Sequence, residues 1–182
     1  RDNDDGCKGV CQRVRNEEMK NSRHPKYCFG SYCHDEVLLD GLEDTIKNIK
    51  QDTVIFLHTM GSHGPTYFNR YPDKFKKFNP TCDTADMQKC TKEQIVNTYD
   101  NTILYTDFIV SSAIDILKKF PQYEAGLIYV SDHGESLGEN NIYLHGLPYA
   151  LAPKEQIEVP MLVWMNGTMK KWDYIDFSCL KK

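Results

Sequence analysis

The stretch Leu127-Ile-Tyr-Val-Ser-Asp-His-Gly-Glu-Ser-Leu-Gly-Glu139 decides how this chain is read. Leu127 to Val130 is a short apolar run of the kind that forms a buried strand, and it breaks at once into polar and glycine residues. Asp132 and His133 therefore fall just past a strand's carboxyl end, where open α/β sheets place their ligands. A carboxylate beside an imidazole is half of a zinc site, because Zn²⁺ accepts oxygen and nitrogen donors in tetrahedral geometry. Gly134 and Gly138 would let the loop fold closely around an ion. The same pair of residues is also compatible with a simple loop cap.

Two further histidines bear on that choice. Val54-Ile-Phe-Leu-His-Thr-Met60 is a second buried-strand signal, and it runs into Gly61-Ser-His-Gly-Pro65. His145 follows in Tyr143-Leu-His-Gly146. Any one of these could be a core histidine with its polar needs met. Three of them in glycine-bearing loops, two directly after strands, point to a site.

Taken together, Ser131-Asp-His-Gly-Glu-Ser-Leu-Gly-Glu139, Tyr143-Leu-His-Gly146, Ala152-Pro-Lys-Glu-Gln156 and Gly61-Ser-His-Gly-Pro65 resemble the phosphoethanolamine transferases of Gram-negative bacteria. The likeness extends from Arg1-Asp-Asn3 to about Trp164, and is strongest to the lipid A-modifying members, including the mobile colistin-resistance enzymes. It implies an alkaline-phosphatase/sulfatase fold in a periplasmic domain at the inner membrane, anchored by transmembrane helices elsewhere in the protein. It also implies zinc as cofactor, phosphatidylethanolamine as donor and a lipid A phosphate as acceptor. The group would pass through a covalent threonine intermediate, and the outcome would be polymyxin resistance. By the same resemblance Asp132 and His133 match zinc ligands, and His63, His145 and Lys8 match groups contacting the transferred phosphate. Glu135 matches a carboxylate beside the metal that supports the site or helps bind a further ion.

The resemblance puts the threonine nucleophile and the remaining carboxylate ligand ahead of the segment matching Arg1, and no such threonine motif is found here. The expectation is a carboxyl-terminal part of one catalytic domain, residues 1–182, incomplete by itself. Two other readings stay open: a related transferase using another acceptor (a Kdo or heptose phosphate, a glucan or a phosphoglycerol polymer), and a noncatalytic metal-binding module.

Composition limits the alternatives. A chain of 182 residues with 40% hydrophobic content can bury the core of one domain. A formal net charge of -4 without a basic stripe argues against nucleic acid, whose binding rests on neutralising phosphates. No apolar run approaches the ~18 residues a membrane span needs. The missing initiator methionine and leader suggest a piece of a larger protein.

Seven cysteines include three close pairs, Cys7/Cys11, Cys28/Cys33 and Cys82/Cys90, in loop-like sequence. Their spacings of three, four and seven intervening residues do not make a zinc ribbon, and read as local disulfides in an oxidising compartment. Cys179 is left over.

The remaining elements follow from periodicity and end signals. A short helix is conceivable around Asn16 to Met19, and a longer one is predicted over 35–50, with Asp35 as N-cap and Gly41 weakening it without ending it. A strand spans Thr53 to Thr59, and Tyr67 to Phe78 reads as an irregular surface segment. Thr91-Lys-Glu-Gln94 is a capping box opening a long helix whose apolar stripe runs from Ile95 to Leu117, closed by Pro121. Its Asn97, Asp100, Asn101 and Asp107 read as a solvated or loop-contacting face. A last strand covers Glu158 to Met165. Strand and helix in alternation predict an α/β fold with a mainly parallel sheet flanked by helices, truncated on its amino-terminal side.

Overall fold

The computed structural model describes residues 1–3, 13–19, 24–30 and 32–169. Its elements in chain order are β1 (Cys28–Phe29), β2 (Tyr32–Cys33), α1 (Leu42–Lys47), α2 (Lys92–Lys118), β3 (Gly126–Val130), β4 (Ser136–Leu137), β5 (Tyr143–Leu144), α3 (Lys154–Ile157) and β6 (Met161–Met165), with short 3-10 turns between them.

Helix α2 is the spine. Its capping box forms, with the Gln94 amide donating to Thr91 Oγ1 at 3.2 Å and the Thr91 amide donating to Gln94 Oε1 at 2.8 Å. Ile95, Tyr105, Ile109 and Ala113 bury one stripe of it. Its polar residues take up the adjoining loop. Asn101 is fully buried, accepts the amides of Lys77 and Phe78 at 2.8 and 2.9 Å, and donates to the Phe78 carbonyl at 3.0 Å. Thr98 Oγ1 accepts the Cys82 amide at 2.7 Å. A segment without regular structure thus satisfies its backbone on the helix flank. The 67–78 stretch is accordingly not a surface segment throughout: Tyr67 and Tyr71 are buried, against α2 and its neighbours.

The expectation of a mainly parallel sheet is overturned. All three sheets among the described residues are two-stranded and antiparallel: β1 with β2, β3 with β6 and β4 with β5. Among the described residues parallel pairing survives only in isolated bridges from Asp2 to Glu18 and to His58. The reason lies in the connection between β3 and β6. A parallel partner needs a crossover that carries the chain back to the other end of the strand. Residues 131–160 contain no helix longer than the four residues of α3, and are spent on the site loops instead. Met161 therefore enters opposite Val130, at the end where the chain left, and the ladder closes at Gly126 opposite Met165.

Other expectations also shift. Residues 53–59 form no strand, only a bridge at His58; Ile55 and Leu57 pack inward while Val54 and Phe56 are 79% and 71% exposed. In β3 likewise one row, Ile128 and Val130, faces out. The helix over 35–50 is split into a 3-10 turn at Asp35–Leu38 and α1, because Gly41 takes the left-handed conformation (φ 66°) between them. No helix forms over 16–19, where Met19 instead donates its amide to the Asp2 carbonyl. Cys28 pairs with Cys33 and Cys82 with Cys90 in disulfides; Cys7, Cys11 and Cys179 lie outside the described residues. No helix among the described residues is long and apolar enough to cross a membrane.

Candidate active site

Three loops carry the histidines to one place. His133 lies three residues beyond β3, His145 directly follows β5, and His63 sits in the loop after residues 53–59. The ring centroids of His133 and His145 are 3.8 Å apart, and those of His63 and His145 are 5.4 Å apart, edge to face.

Each ring is held by its Nδ1. In His63 that nitrogen is 2.8 Å from the Gly64 carbonyl, and in His133 it is 2.9 Å from the Gly134 carbonyl. A carbonyl only accepts, so both rings carry a proton on Nδ1 and leave Nε2 as the nitrogen that can meet a metal or a phosphoryl oxygen. His145 Nδ1 is 3.0 Å from Glu135 Oε1, which imposes the same arrangement when the glutamate is ionised. One donor atom from each of His133, Glu135 and His145 lies within 4.8 Å of the others, so this cluster can hold a divalent metal ion.

Asp132 stands at the edge of the cluster. Its side chain is 82% exposed, with Oδ2 3.8 Å from His133 Nε2. Two ligands of a tetrahedral zinc lie roughly 3.3 Å apart for bonds of about 2.0 Å, so a small closing movement would let both bind one ion. The carboxylate is also drawn toward its own loop, since Oδ1 accepts the His133 amide at 3.0 Å.

Glu135 is buried, and its oxygens are already engaged. Oε2 accepts from the Tyr67 hydroxyl at 3.0 Å, and Oε1 from the Gly64 amide at 3.4 Å as well as facing His145. Burial, and then the charge of Glu135, push the Tyr67 hydroxyl well above its ordinary range, so it remains a donor. Burial, with Glu135 second, pushes Tyr99 up to about 12.

The His63 loop has its own anchor. Asp35 is buried; Oδ1 accepts the Met60 amide at 2.8 Å and the Asn3 side chain at 2.8 Å, and Oδ2 accepts the Gly61 amide at 2.9 Å. Burial raises its carboxyl above the usual range, although these three donors pull the other way. Arg70 Nε closes the loop from the far side by donating to the His63 carbonyl at 2.7 Å. Asp35 is thus an internal clamp rather than a helix cap.

The two site glycines pack against protein. A Cβ on Gly134 would stand 2.0 Å from the Glu155 carbonyl oxygen, and one on Gly138 would meet the Tyr143 ring at 3.1 Å. The Gly134 amide donates to the Gln156 carbonyl at 2.9 Å, and Gln156 Nε2 donates to Ser136 Oγ at 3.0 Å. The proline-bearing loop after Gly146 is therefore tied back onto the site. It walls a cleft of about 360 Å³ lined by Asp132, His133 and His145 together with Leu147, Tyr149 and Gln156. A larger cleft of about 650 Å³, around His34 and Tyr71, includes none of these histidines.

Of the residues singled out from sequence, His63, His133, Glu135 and His145 come together, and Asp132 borders them. Lys8 lies outside the described residues. Tyr67 and Asp35 carry site contacts that sequence reasoning missed, because each offered only an ordinary local signal and has its partners far away in the chain; Gln156 stands in a quoted motif, but its contacts to Gly134 and Ser136 were not read from it.

The sequence model of the sulfatase family matches residues 1–178. The chain belongs to the sulfatase family. Over most or all of its length it is similar to phosphoethanolamine transferases of this family. It is 56% identical over 182 residues, all of this chain, to phosphoethanolamine transferase EptA of Escherichia coli strain K12, of which it covers 33%. It is 42% identical over 174 residues, 91% of this chain, to phosphatidylethanolamine transferase Mcr-1 of Escherichia coli, covering 32% of that protein. Among solved structures, the soluble domain of lipooligosaccharide phosphoethanolamine transferase A from Neisseria meningitidis superposes with a TM-score of 0.94 at 47% identity, over 99% of this chain and 54% of that one. The periplasmic domain of EptC from Campylobacter jejuni does so with a TM-score of 0.80 at 48% identity, over 91% and 51%. This member of the sulfatase family spans about a third of the length of the curated relatives it matches.

Proposed function

We propose that this chain is the part of a periplasmic phosphoethanolamine transferase that holds the transferred phosphate and half of a zinc site, acting from phosphatidylethanolamine to a lipid A phosphate at the inner membrane. The observation that carries the reading is the convergence of His63, His133 and His145, with Nδ1 of each engaged and Nε2 left for chemistry. An imidazole locked in this way presents Nε2 without reorganising first, as a lone pair to a metal or, once protonated there, as a donor to a phosphoryl oxygen.

Asp132 and His133 are the zinc ligands in this reading. Their oxygen and nitrogen donors suit the ion, and their 3.8 Å separation is close to the ligand spacing of one tetrahedral centre. Zinc bound there would neutralise phosphoryl charge and lower the pKa of an oxygen nucleophile. The nucleophile itself is expected to be a threonine in sequence that accompanies this segment in the whole protein. His63 and His145 bind the transferred phosphate from the other side, as donors to its oxygens or as an acid to the departing alkoxide. Lys8 is assigned the same phosphate by resemblance. Glu135, with both oxygens occupied by protein donors, supports His145 and lies next to the bound phosphate. The cleft beside Leu147 and Tyr149 leaves room for the donor's headgroup.

The test is a comparison of lipid A mass spectra from Gram-negative cells with and without the full-length protein. A phosphoethanolamine mass gain on a lipid A phosphate is expected, and it should disappear in Asp132→Ala and His133→Ala with loss of bound zinc. His63→Ala and His145→Ala should lower activity about 10²–10³-fold at wild-type zinc content. A gain on a Kdo or heptose residue instead would move the acceptor; no gain on any envelope component would sink the reading.

A further inference from the structure

We propose that Tyr67 and Glu135 are a positioning pair that sets the tautomer and ring orientation of His145, and that Gly64 is the space in which this pair closes. The inference rests on His145 acting at the transferred phosphate, and adds to that reading the residues which make it competent.

Tyr67 and Glu135 are 68 residues apart, and Glu135 and His145 ten, yet the three form one line: Tyr67 hydroxyl to Oε2 at 3.0 Å, then Oε1 to His145 Nδ1 at 3.0 Å. The far end of the line is the most firmly held. Tyr67 is 2% exposed, lies in one apolar cluster with Cys82, Met87 and Ile95, and its ring meets Tyr99 edge to face at 5.5 Å. The carboxylate between them is 7% exposed, so neither oxygen can exchange its protein donor for bulk water at little cost. With Oε2 pinned, the carboxylate plane cannot swivel, and Oε1 stays in front of Nδ1. This keeps one His145 proton on Nδ1, as the backbone carbonyls do for His63 and His133, so that Nε2 is the nitrogen that takes up a further proton and donates it at the phosphate. His145 alone depends on a long-range side chain for this.

Two backbone features fit the same device. A Cβ on residue 64 would stand 2.4 Å from Leu144 Cδ2 and 2.9 Å from the Tyr67 hydroxyl, so any side chain there would drive the phenol off Glu135. Leu144, the residue before His145, holds a left-handed φ of 64° that a leucine adopts only under constraint, and it packs against the Tyr67 cluster. One apolar cluster therefore fixes both the backbone entering His145 and the hydroxyl that fixes its partner.

The experiment uses Tyr67→Phe, which removes only the hydroxyl, and reads the ¹⁵N shifts of the His145 ring at alkaline pH, in this chain and in the full-length protein. The wild type should show the Nδ1–H tautomer, and Tyr67→Phe a mixture in which Nε2–H is populated. Steady-state assay of the full-length variant should give kcat lower by about tenfold, the energy of roughly one such hydrogen bond, with KM for the lipid donor and zinc content within twofold of wild type. A shifted tautomer in a protein that never shows transferase activity would leave the positioning pair standing and remove the functional reading instead. An unchanged tautomer with kcat falling only as the folded fraction falls would overturn the pair and leave Tyr67 a core residue. Should Tyr67→Phe fail to fold, Glu135→Met removes the acceptor at similar length, and an unchanged His145 tautomer in that variant overturns the proposal equally.

Discussion

Gly134→Ala isolates the packing of the site loop against the 155–156 backbone. Neither the φ of Gly134 nor that of Gly167 falls in the left-handed range, so alanine is compatible with the local backbone at both positions. The difference between them is what the new methyl meets. At Gly167 there is nothing within 4 Å, whereas at Gly134 it would stand 2.0 Å from the Glu155 carbonyl oxygen, 3.0 Å from its carbon and 3.4 Å from Gln156 Cα. The first of these is about 1.5 Å inside the roughly 3.5 Å at which nonbonded heavy atoms rest. The obstacle is backbone, which cannot rotate aside, so the two segments must part and the 2.9 Å bond from the Gly134 amide to the Gln156 carbonyl breaks. Overpacking costs about 1–3 kcal/mol and the lost bond about 0.5–1.5 kcal/mol, so a loss near 3 kcal/mol is expected. At a denaturant slope of about 2 kcal/mol per molar urea this moves the unfolding midpoint down by about 1.5 M. The assay is urea unfolding followed by far-ultraviolet circular dichroism, with Gly167→Ala as the reference expected to stay near wild type. Zinc affinity should fall in the same variant, since Asp132 and His133 ride on the displaced loop. A Gly134→Ala midpoint within 0.3 M (about 0.6 kcal/mol) of the Gly167→Ala value would refute the reasoning.

Two further outcomes are expected. Asn101→Ala leaves the amides of Lys77 and Phe78 and the Phe78 carbonyl without their buried partner, and should destabilise by about 3 kcal/mol or more in the same urea assay; a loss below about 1 kcal/mol would mean that water replaces the side chain. His34 titrates below its ordinary value of 6.5 because burial disfavours the imidazolium, so between the two values the unfolded chain binds the extra proton and stability rises with pH. The urea midpoint should therefore fall as pH drops from 6.5 through the depressed folded value, and His34→Gln should flatten that part of the curve; an identical slope in the variant would assign the dependence to other groups.

What the sequence determined on its own is whatever a few neighbouring residues can specify. The capping box at Thr91 is legible because donor and acceptor stand three residues apart, the close cysteines because short loops keep thiols within reach, and the Asp132-His133 pair because a strand signal breaks directly into it. The four motifs named the family for the same reason, each being a short string in order. The Gly41 break shows where even local reading fails, since a helical apolar stripe does not reveal that one glycine will turn left-handed. The direction of the β3–β6 pairing was decided only by the tertiary structure, because it depends on the path of the 131–160 connection. So was the role of Glu135, whose partners Gly64 and Tyr67 stand 71 and 68 residues away, and that of Asp35, which reads as a helix cap until Met60 and Gly61 are folded onto it. A buried carboxylate is defined by the donors that surround it, and when those donors come from distant loops only the folded chain brings them together.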